Sequence, residues 1–226
     1  MYNESSLFIL AFYPIAFLRI PRLARRLFFL TGAAAMKLLE DRILKDGKVG
    51  AGNVLKVDSF LNHQIDVPFI SELGREFYRL YRDEGVTKIL TIEASGIGIA
   101  CLTAAYFGVP VVFAKKTPTN NISGDVYTAE VYSYTHERTY AIRLARDFLT
   151  SDDRVLIIDD FLAKGSALLA LLKLVHDAGA SVAGAGIVIE KAYQPGGDIV
   201  RAQGVRVESL ARVASMDENG IRFVEE

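Results

Sequence analysis

From Met36 onward, short blocks of continuous branched aliphatics alternate with longer stretches in which apolar residues recur at helical spacing. Leu38, Leu39, Ile43 and Leu44 share one face of an amphipathic helix that should begin at Met36 and stop at Gly47. Asn53 to Val57 suits a short strand, and a polar-aromatic run from Asp58 to Gln64 follows it. A second helix should start near Pro68, which fits a first helical turn, and run to about Glu84 with Gly85 as its cap. Phe69, Ile70, Leu73, Phe77, Leu80 and Tyr81 form its apolar face. Lys88 to Ile92, Pro110 to Ala114, Arg154 to Ile158 and Ser181 to Ile189 are continuous apolar blocks, the mark of strands buried on both faces. Helical stretches lie between them: Ile97 to Phe107, stopped by Gly108, and Ala167 to Ala178, closed by Gly179. Such β-α-β alternation with short joints predicts parallel strands and right-handed crossovers.

The alternation breaks at Lys115 to Asp125, a polar stretch with Pro118, Asn120, Asn121 and Gly124. A loop of this length inside a compact domain is expected to be a lid or a disordered segment. Val126 to Tyr134 then alternates like an antiparallel strand, with Thr139 to Leu144 as its partner. Pro195 to Gln203 should form a short helix, Val205 to Leu210 a strand, and Ile221 to Val224 a last one. The predicted fold class is α/β: a doubly wound, mostly parallel sheet with a flexible lid and a small flanking hood.

The first 35 residues do not share this patterning. Ser5 to Leu30 is apolar but interrupted by Pro14 and Pro21, and Arg19, Arg22, Arg25 and Arg26 sit among the hydrophobes. Its uncharged part, Leu7 to Leu18, is shorter than the roughly 20 residues that span a bilayer. Ala33-Ala34-Ala35 resembles a signal cleavage site, yet the arginines follow the apolar core, whereas a signal peptide carries its positive charge first. A basic membrane-surface helix, an atypical targeting segment and upstream sequence translated from a misplaced start are the three readings; the last is preferred, because Met36 opens a well-patterned helix. Residues 1–35 are therefore set apart as an extension, 36–226 as the domain, and membrane association is not expected.

Composition narrows the functional classes. The 226 residues suffice for one α/β domain, and 26 basic against 27 acidic residues give no sign of a nucleic-acid-coating protein. Cys101 is the only cysteine, so no intramolecular disulfide forms, and its place in an apolar helical run predicts a small buried hydrophobe. The histidines at 63, 136 and 176 are too scattered for zinc spacing. A reducing cytoplasm is the expected compartment.

Candidate chemistry gathers where strands end. Ligands of doubly wound sheets bind outside the carboxyl ends of the strands. Three such ends carry polar groups: Glu93-Ala94-Ser95-Gly96, Asp159-Asp160 and Glu190-Lys191. Glu93 and Glu190 also suit strand-end charges turning into water. The most specific is Asp159-Asp160, four residues ahead of Lys164-Gly165-Ser166 at a helix start. Adjacent acids accept hydroxyl protons or hold a divalent cation, and a helix N-terminus receives phosphate. Other motifs fail: Gly96-Ile97-Gly98 has Cys101 where a dinucleotide fingerprint needs glycine, Lys164-Gly165-Ser166 lacks the P-loop's earlier glycine, and no Gly-x-Ser-x-Gly elbow occurs.

The stretch Val155 to Ala167 (hydrophobic strand, two acids, small phosphate loop) resembles the 5-phosphoribosyl-1-pyrophosphate (PRPP) signature of type I phosphoribosyltransferases. The Glu93-Ala94-Ser95-Gly96 turn resembles that family's pyrophosphate loop, and Lys115 to Tyr134 its flexible catalytic loop. Leu55 to Gln64 and Ile189 to Gly196 are similar to the bacterial xanthine-specific branch. The resemblance spans Met36 to Glu226 and implies the following. Asp159 and Asp160 are catalytic and hold the ribose hydroxyls. Ala163, Lys164, Gly165, Ser166 and Ala167 wrap the 5-phosphate, and Glu93, Ala94, Ser95 and Gly96 complete the PRPP site. Leu55, Asn62 and Lys191 bind xanthine. Magnesium enters with PRPP, no metal ligand in the chain is assigned, and a homodimer is expected. Lys164, Ser166 and Ala167 depart from the family's threonine-rich loop, which shifts the grip on phosphate to backbone amides or to Lys164.

The base site follows the same logic. Lys191 can donate to a 6-oxygen, which adenine lacks, and Asn62 can favour a 2-oxygen over hydrogen. A charge-assisted hydrogen bond of roughly 1.5–3 kcal/mol supports about tenfold to hundredfold discrimination. Phe161 suits either stacking on the purine or the core. Hypoxanthine or guanine as substrate, a non-enzymatic PRPP-sensing regulatory domain and a receiver-type domain are the competing readings. The regulator wants a DNA-binding module ahead of the domain, and the lid and Glu93 turn are superfluous to a receiver.

Overall fold

The computed structural model describes residues 32–50, 54–116, 125–133, 138–217 and 220–225. Nearly all of the segment ahead of Met36, and the middle of the expected lid, lie outside them. No helix among the described residues is long and apolar enough to cross a membrane.

The first helix, α1 (Gly32–Asp46), starts four residues ahead of Met36 and buries Ala35, Leu39 and Ile43. It ends at Gly47, where a Cβ would lie 2.4 Å from the Ile43 carbonyl oxygen. Strands β1 (Lys48–Gly50) and β2 (Val54–Lys56) form a small antiparallel pair with Val49 opposite Leu55. The polar-aromatic run then folds as a single wide turn of π-helix over Asp58–Asn62, burying Phe60 and Leu61. Helix α2 (Val67–Tyr81) is capped by Asp66, whose carboxylate accepts from the Phe69 N–H at 3.3 Å. Its buried stripe of Phe69, Ile70, Leu73, Phe77 and Tyr81 meets the sheet where the strands have no side chain. A Cβ at Gly186 would lie 2.7 Å from the Phe77 ring, and one at Gly184 would lie 2.4 Å from the Tyr81 ring. Burial raises the pKa of the Tyr81 phenol, which donates to the Ala185 carbonyl at 2.8 Å.

Then follow β3 (Lys88–Ile92), α3 (Ser95–Phe107) and β4 (Val111–Ala114), the antiparallel pair β5 (Val126–Ser133) and β6 (Arg138–Ala145), β7 (Arg154–Leu162) and α4 (Ser166–Asp177). The chain closes with β8 (Ser181–Lys191), α5 (Gly196–Arg201), β9 (Val207–Asp217) and β10 (Gly220–Phe223). The main sheet runs β10-β9-β8-β7-β3-β4, parallel except for β10. From β3 the chain builds outward through β4 on one side and later through β7, β8 and β9 on the other. The order therefore reverses between β3 and β7, where such sheets open a crevice. The aliphatic run of β7 divides by alternation. Leu156 and Ile158 join the core under α1, α2 and α3, whereas Val155 and Ile157 join the core under α4, α5 and the β5–β6 pair.

Several boundaries differ from the pattern. β7 continues through the acids to Leu162, and β8 through Glu190 to Lys191, because the two strands supply each other with backbone partners that far, Leu162 opposite Glu190. β9 runs seven residues past Leu210, paired with β8 up to Val213 and with β10 beyond. Cys101 is exposed, contrary to expectation. Helix α3 is apolar around much of its circumference, and its buried stripe is Gly96, Ile99, Ala100, Thr103 and Ala104, with position 101 on the other face.

Candidate active site

At the end of β7 two carboxylates stand side by side in different surroundings. Asp159 is only 5% exposed, while Asp160 is half-buried. The Asp159 carboxylate accepts from the Asp160 N–H at 3.0 Å, and that of Asp160 from the Phe161 N–H at 3.0 Å. Burial first, and the neighbouring Asp160 charge second, push the Asp159 carboxyl well above the usual carboxylate range, with Lys116 pulling it back.

The crevice brings the end of β3 to these acids. Gly96, in the first turn of α3, packs beneath Asp159: a Cβ there would sit 3.4 Å from Asp159 Oδ1 and 2.1 Å from Thr91 Oγ1. The Thr91 hydroxyl is fully buried and has no hydrogen-bond partner among the described residues. The Glu93–Ala94 peptide is cis. Glu93 receives the backbone N–H of Lys116 at 2.5 Å, and its own N–H donates to Ala114 at 3.1 Å. The chain leaving β4 is held by a reciprocal pair of backbone hydrogen bonds between Lys115 and Arg143, each 2.9 Å. The Lys116 ammonium lies 5.9 Å from the Tyr140 ring centre, and burial together with the Asp159 charge raises the pKa of that phenol.

Lys116 and Tyr140 thus belong to the acid site although neither was singled out from sequence. The signal for Lys116 was available, since Lys115-Lys116 follows a buried strand as the acids follow another. Tyr140 carried none, because only the fold of β6 brings it near Asp159.

Ala163 to Ala167 forms the link from β7 into α4. Gly165 has φ of +85°, a left-handed conformation that glycine adopts without penalty, and no side chain caps the helix. The amides of a first helical turn lack intrahelical acceptors and suit an anion. Lys164 is exposed; Ser166 and Ala167 are half-buried.

The third strand end separates its two charges. Lys191 is half-buried, and burial holds its ammonium below the usual lysine range. Glu190 points away from water, only 2% exposed, and pairs with Arg201 at 2.7 Å and Arg212 at 3.4 Å. The alternative reading of Glu190 as a strand-end charge turning into water does not hold: two arginines make its burial possible. Leu55 is buried beside Phe60 and Leu61 in the core cluster that contains Ile189, and Phe161 packs on that cluster. Asn62 ends the π-turn half-buried, and its Oδ1 atom is fully buried with no hydrogen-bond partner among the described residues. A cavity of about 570 Å³ lies along β4 and β6, with Lys115 and Arg143 among its lining residues.

A doubly wound sheet with adjacent acids, a glycine turn and a helix-capping loop at its switch point is the arrangement of a phosphoribosyltransferase. Residues 61–205 match the family model described as "Phosphoribosyl transferase domain", and the chain belongs to that family. It is 60% identical over 182 residues to the xanthine phosphoribosyltransferase of Lachnoclostridium phytofermentans, covering 80% of this chain and 94% of that one. Against the xanthine phosphoribosyltransferase of Ruminiclostridium cellulolyticum it is 52% identical over 190 residues, 84% of this chain and all of the relative. Among solved structures it resembles the adenine phosphoribosyltransferase of Giardia lamblia complexed with 9-deazaadenine, with TM-score 0.67, 22% identity and coverage of 83% and 100%. The Trypanosoma brucei adenine phosphoribosyltransferase with AMP, pyrophosphate and ribose-5-phosphate aligns with TM-score 0.68, 20% identity and coverage of 80% and 82%. These two likenesses establish the type I phosphoribosyltransferase fold.

Proposed function

We propose that this chain transfers the 5-phosphoribosyl group of PRPP to xanthine, giving xanthosine 5-monophosphate and pyrophosphate in purine salvage. The observation that carries it is the buried Asp159 beside Asp160, facing the Gly96 turn and leading into the Ala163–Ala167 helix start. The xanthine assignment is supported by the two relatives above 50% identity.

In this reading the anomeric carbon loses its bond to the pyrophosphate oxygen and gains one to a purine nitrogen, whose proton is released. Asp159 and Asp160 accept hydrogen bonds from the ribose hydroxyls and stabilise the positive charge developing on the sugar. The backbone around Gly165 and Ser166 holds the 5-phosphate, and the Glu93–Gly96 turn with Lys116 receives the pyrophosphate. Lys191 donates to the 6-oxygen. Asn62 presents its unpartnered acceptor to a ring N–H and its amide N–H to the 2-oxygen, within the apolar wall that Leu55 supplies.

The family generally uses magnesium with PRPP, and the donor set suits that ion. No cluster of three His, Cys, Asp or Glu ligands occurs among the described residues. Among the described residues the Asp159 and Asp160 carboxylates would hold it, as fits an ion that takes most of its ligands from water and substrate phosphates. Bound there, magnesium would offset the charge of the departing pyrophosphate. The proposal includes a homodimer in the cytoplasm.

The decisive experiment supplies PRPP, magnesium and each purine base separately and follows nucleotide formation. Xanthine should be converted fastest. Faster conversion of guanine or hypoxanthine would overturn the base assignment alone, and no turnover with any base would overturn the enzyme.

A further inference from the structure

The 5-phosphate loop is not free-standing, because its backbone rests on another backbone. The N–H of Gly196, the first residue of α5, donates to the Ala163 carbonyl at 3.0 Å. A Cβ on Gly196 would lie 2.4 Å from that same oxygen, 2.5 Å from the Gly165 nitrogen and 2.7 Å from the Lys164 carbonyl carbon. From the other side, a Cβ on Gly165 would lie 3.1 Å from the Gly196 Cα. Both glycines are buried. All these neighbours are main-chain atoms, so no rotamer change relieves the overlap; a side chain at 196 forces the loop or α5 to move.

α5 has little room to retreat. Its second residue, Gly197, fits against the Glu190–Arg201 ion pair, where a Cβ would sit 2.1 Å from Glu190 Oε1 and 2.4 Å from Arg201 Nη1. Both hydrogen bonds of that pair, 2.7 and 2.8 Å, run from α5 to the end of β8. The connecting turn is closed as well: the Gln194 N–H donates to the Lys191 carbonyl at 2.9 Å, and the Ala192 N–H to Val213 at 2.8 Å. The helix is therefore anchored to the sheet on one side and abuts the phosphate loop on the other.

We propose that Gly196 is a positioning residue for the 5-phosphate subsite: it sets the height of the Ala163–Gly165 backbone and so aims the loop amides. The inference rests on the reading of Ala163–Ala167 as the phosphate loop. Gly196 need not touch substrate, and its effect is confined to the substrate that carries phosphate. Displacing positioned groups by about 1 Å costs on the order of a hundredfold in the extreme.

Steady-state kinetics of Gly196→Ala test this. The expected result is a KM for PRPP raised about tenfold or more, with the KM for xanthine changed less than about twofold. Equal changes in both, or none in either, would overturn the inference. In case the variant does not fold, amide hydrogen exchange of the natural chain gives a second test with ribose 5-phosphate as probe. Protection should appear together at residues 163–167 and at the Gly196 amide. Protection of the loop without Gly196 would again overturn the inference while leaving the phosphate loop intact. No protection at either place, in a chain without turnover, would remove the phosphate-loop reading and the inference with it.

Discussion

Asp159 and Glu190 are buried carboxylates near the ends of neighbouring strands, and they resolve the same problem in opposite ways. A carboxylate taken out of water is destabilised unless hydrogen bonds and opposite charges replace the solvent. Glu190 obtains both: two hydrogen bonds from Arg201, one from the Ser209 hydroxyl at 2.6 Å, and the Arg212 guanidinium at 3.4 Å. Burial would raise its pKa, but Arg201 and Ser209 more than offset that, and the carboxyl ends below its ordinary range. Asp159 has no ion pair among the described residues; its nearest charged neighbour is another acid, and its carboxyl is driven up. Glu190 is thus a finished structural element, whereas Asp159 keeps one backbone hydrogen bond and an acidic neighbour; in the proposed function a ligand's hydroxyls supply the missing partners. Buried carboxyls whose pKa is driven up in this way are a common mark of functional sites.

The contrast can be broken from either side. Glu190→Gln should have the largest effect on the fold, because two arginines lose a buried counter-charge. A cost of about 3–5 kcal/mol is expected, read as a melting temperature lower by roughly 6–20 °C for a chain of this size. An unchanged melting temperature would mean that the network is not structural. Asp160→Asn should leave the fold nearly intact yet lower kcat at least about a hundredfold, equivalent to some 2.7 kcal/mol of lost transition-state stabilisation. Near-normal turnover would remove Asp160 from the mechanism.

Asp159→Asn should do the reverse of Glu190→Gln and raise the melting temperature of the ligand-free protein by about 2–4 °C, as about 1 kcal/mol of relieved charge burial implies. The pH dependence sharpens the difference. For Asp159 the folded pKa is raised, so the native state binds more protons and stability falls as pH rises from the unfolded value near 4 through the folded pKa. For Glu190 the folded pKa is depressed, so its contribution is complete above the unfolded value and is lost only as pH falls through the folded pKa. Melting curves from about pH 4 upward should therefore show a declining component in the natural chain that Asp159→Asn lacks. Its persistence in the variant would assign it to another group.

Some of this was legible before any coordinates. The acids, the Gly165 loop and the Glu93 turn were visible because each breaks a strongly apolar run locally, and local breaks survive in a linear reading. Lys191 and Asn62 needed the family resemblance, since an isolated lysine or asparagine has no pattern of its own. The burial of Glu190 was not legible, because its partners Arg201, Ser209 and Arg212 are distant along the chain and converge only when α5 and β9 fold back. Cys101 was misjudged for a different reason: an almost uniformly apolar helix has no polar face to say which side is outward.

By itself the sequence determined the alternation of buried strands and amphipathic helices, and with it a parallel sheet whose carboxyl edge carries acids and a phosphate-sized turn. Period and burial are properties of neighbouring residues, so they can be read in order. Only the tertiary structure decided which buried carboxylate is paired with arginines and which is left beside another acid. It likewise brought Gly96 under Asp159 and Gly196 under the phosphate loop. Those outcomes depend on a few ångströms between atoms from different strands, where the local dielectric and the nearest countercharge are set by packing rather than by sequence distance.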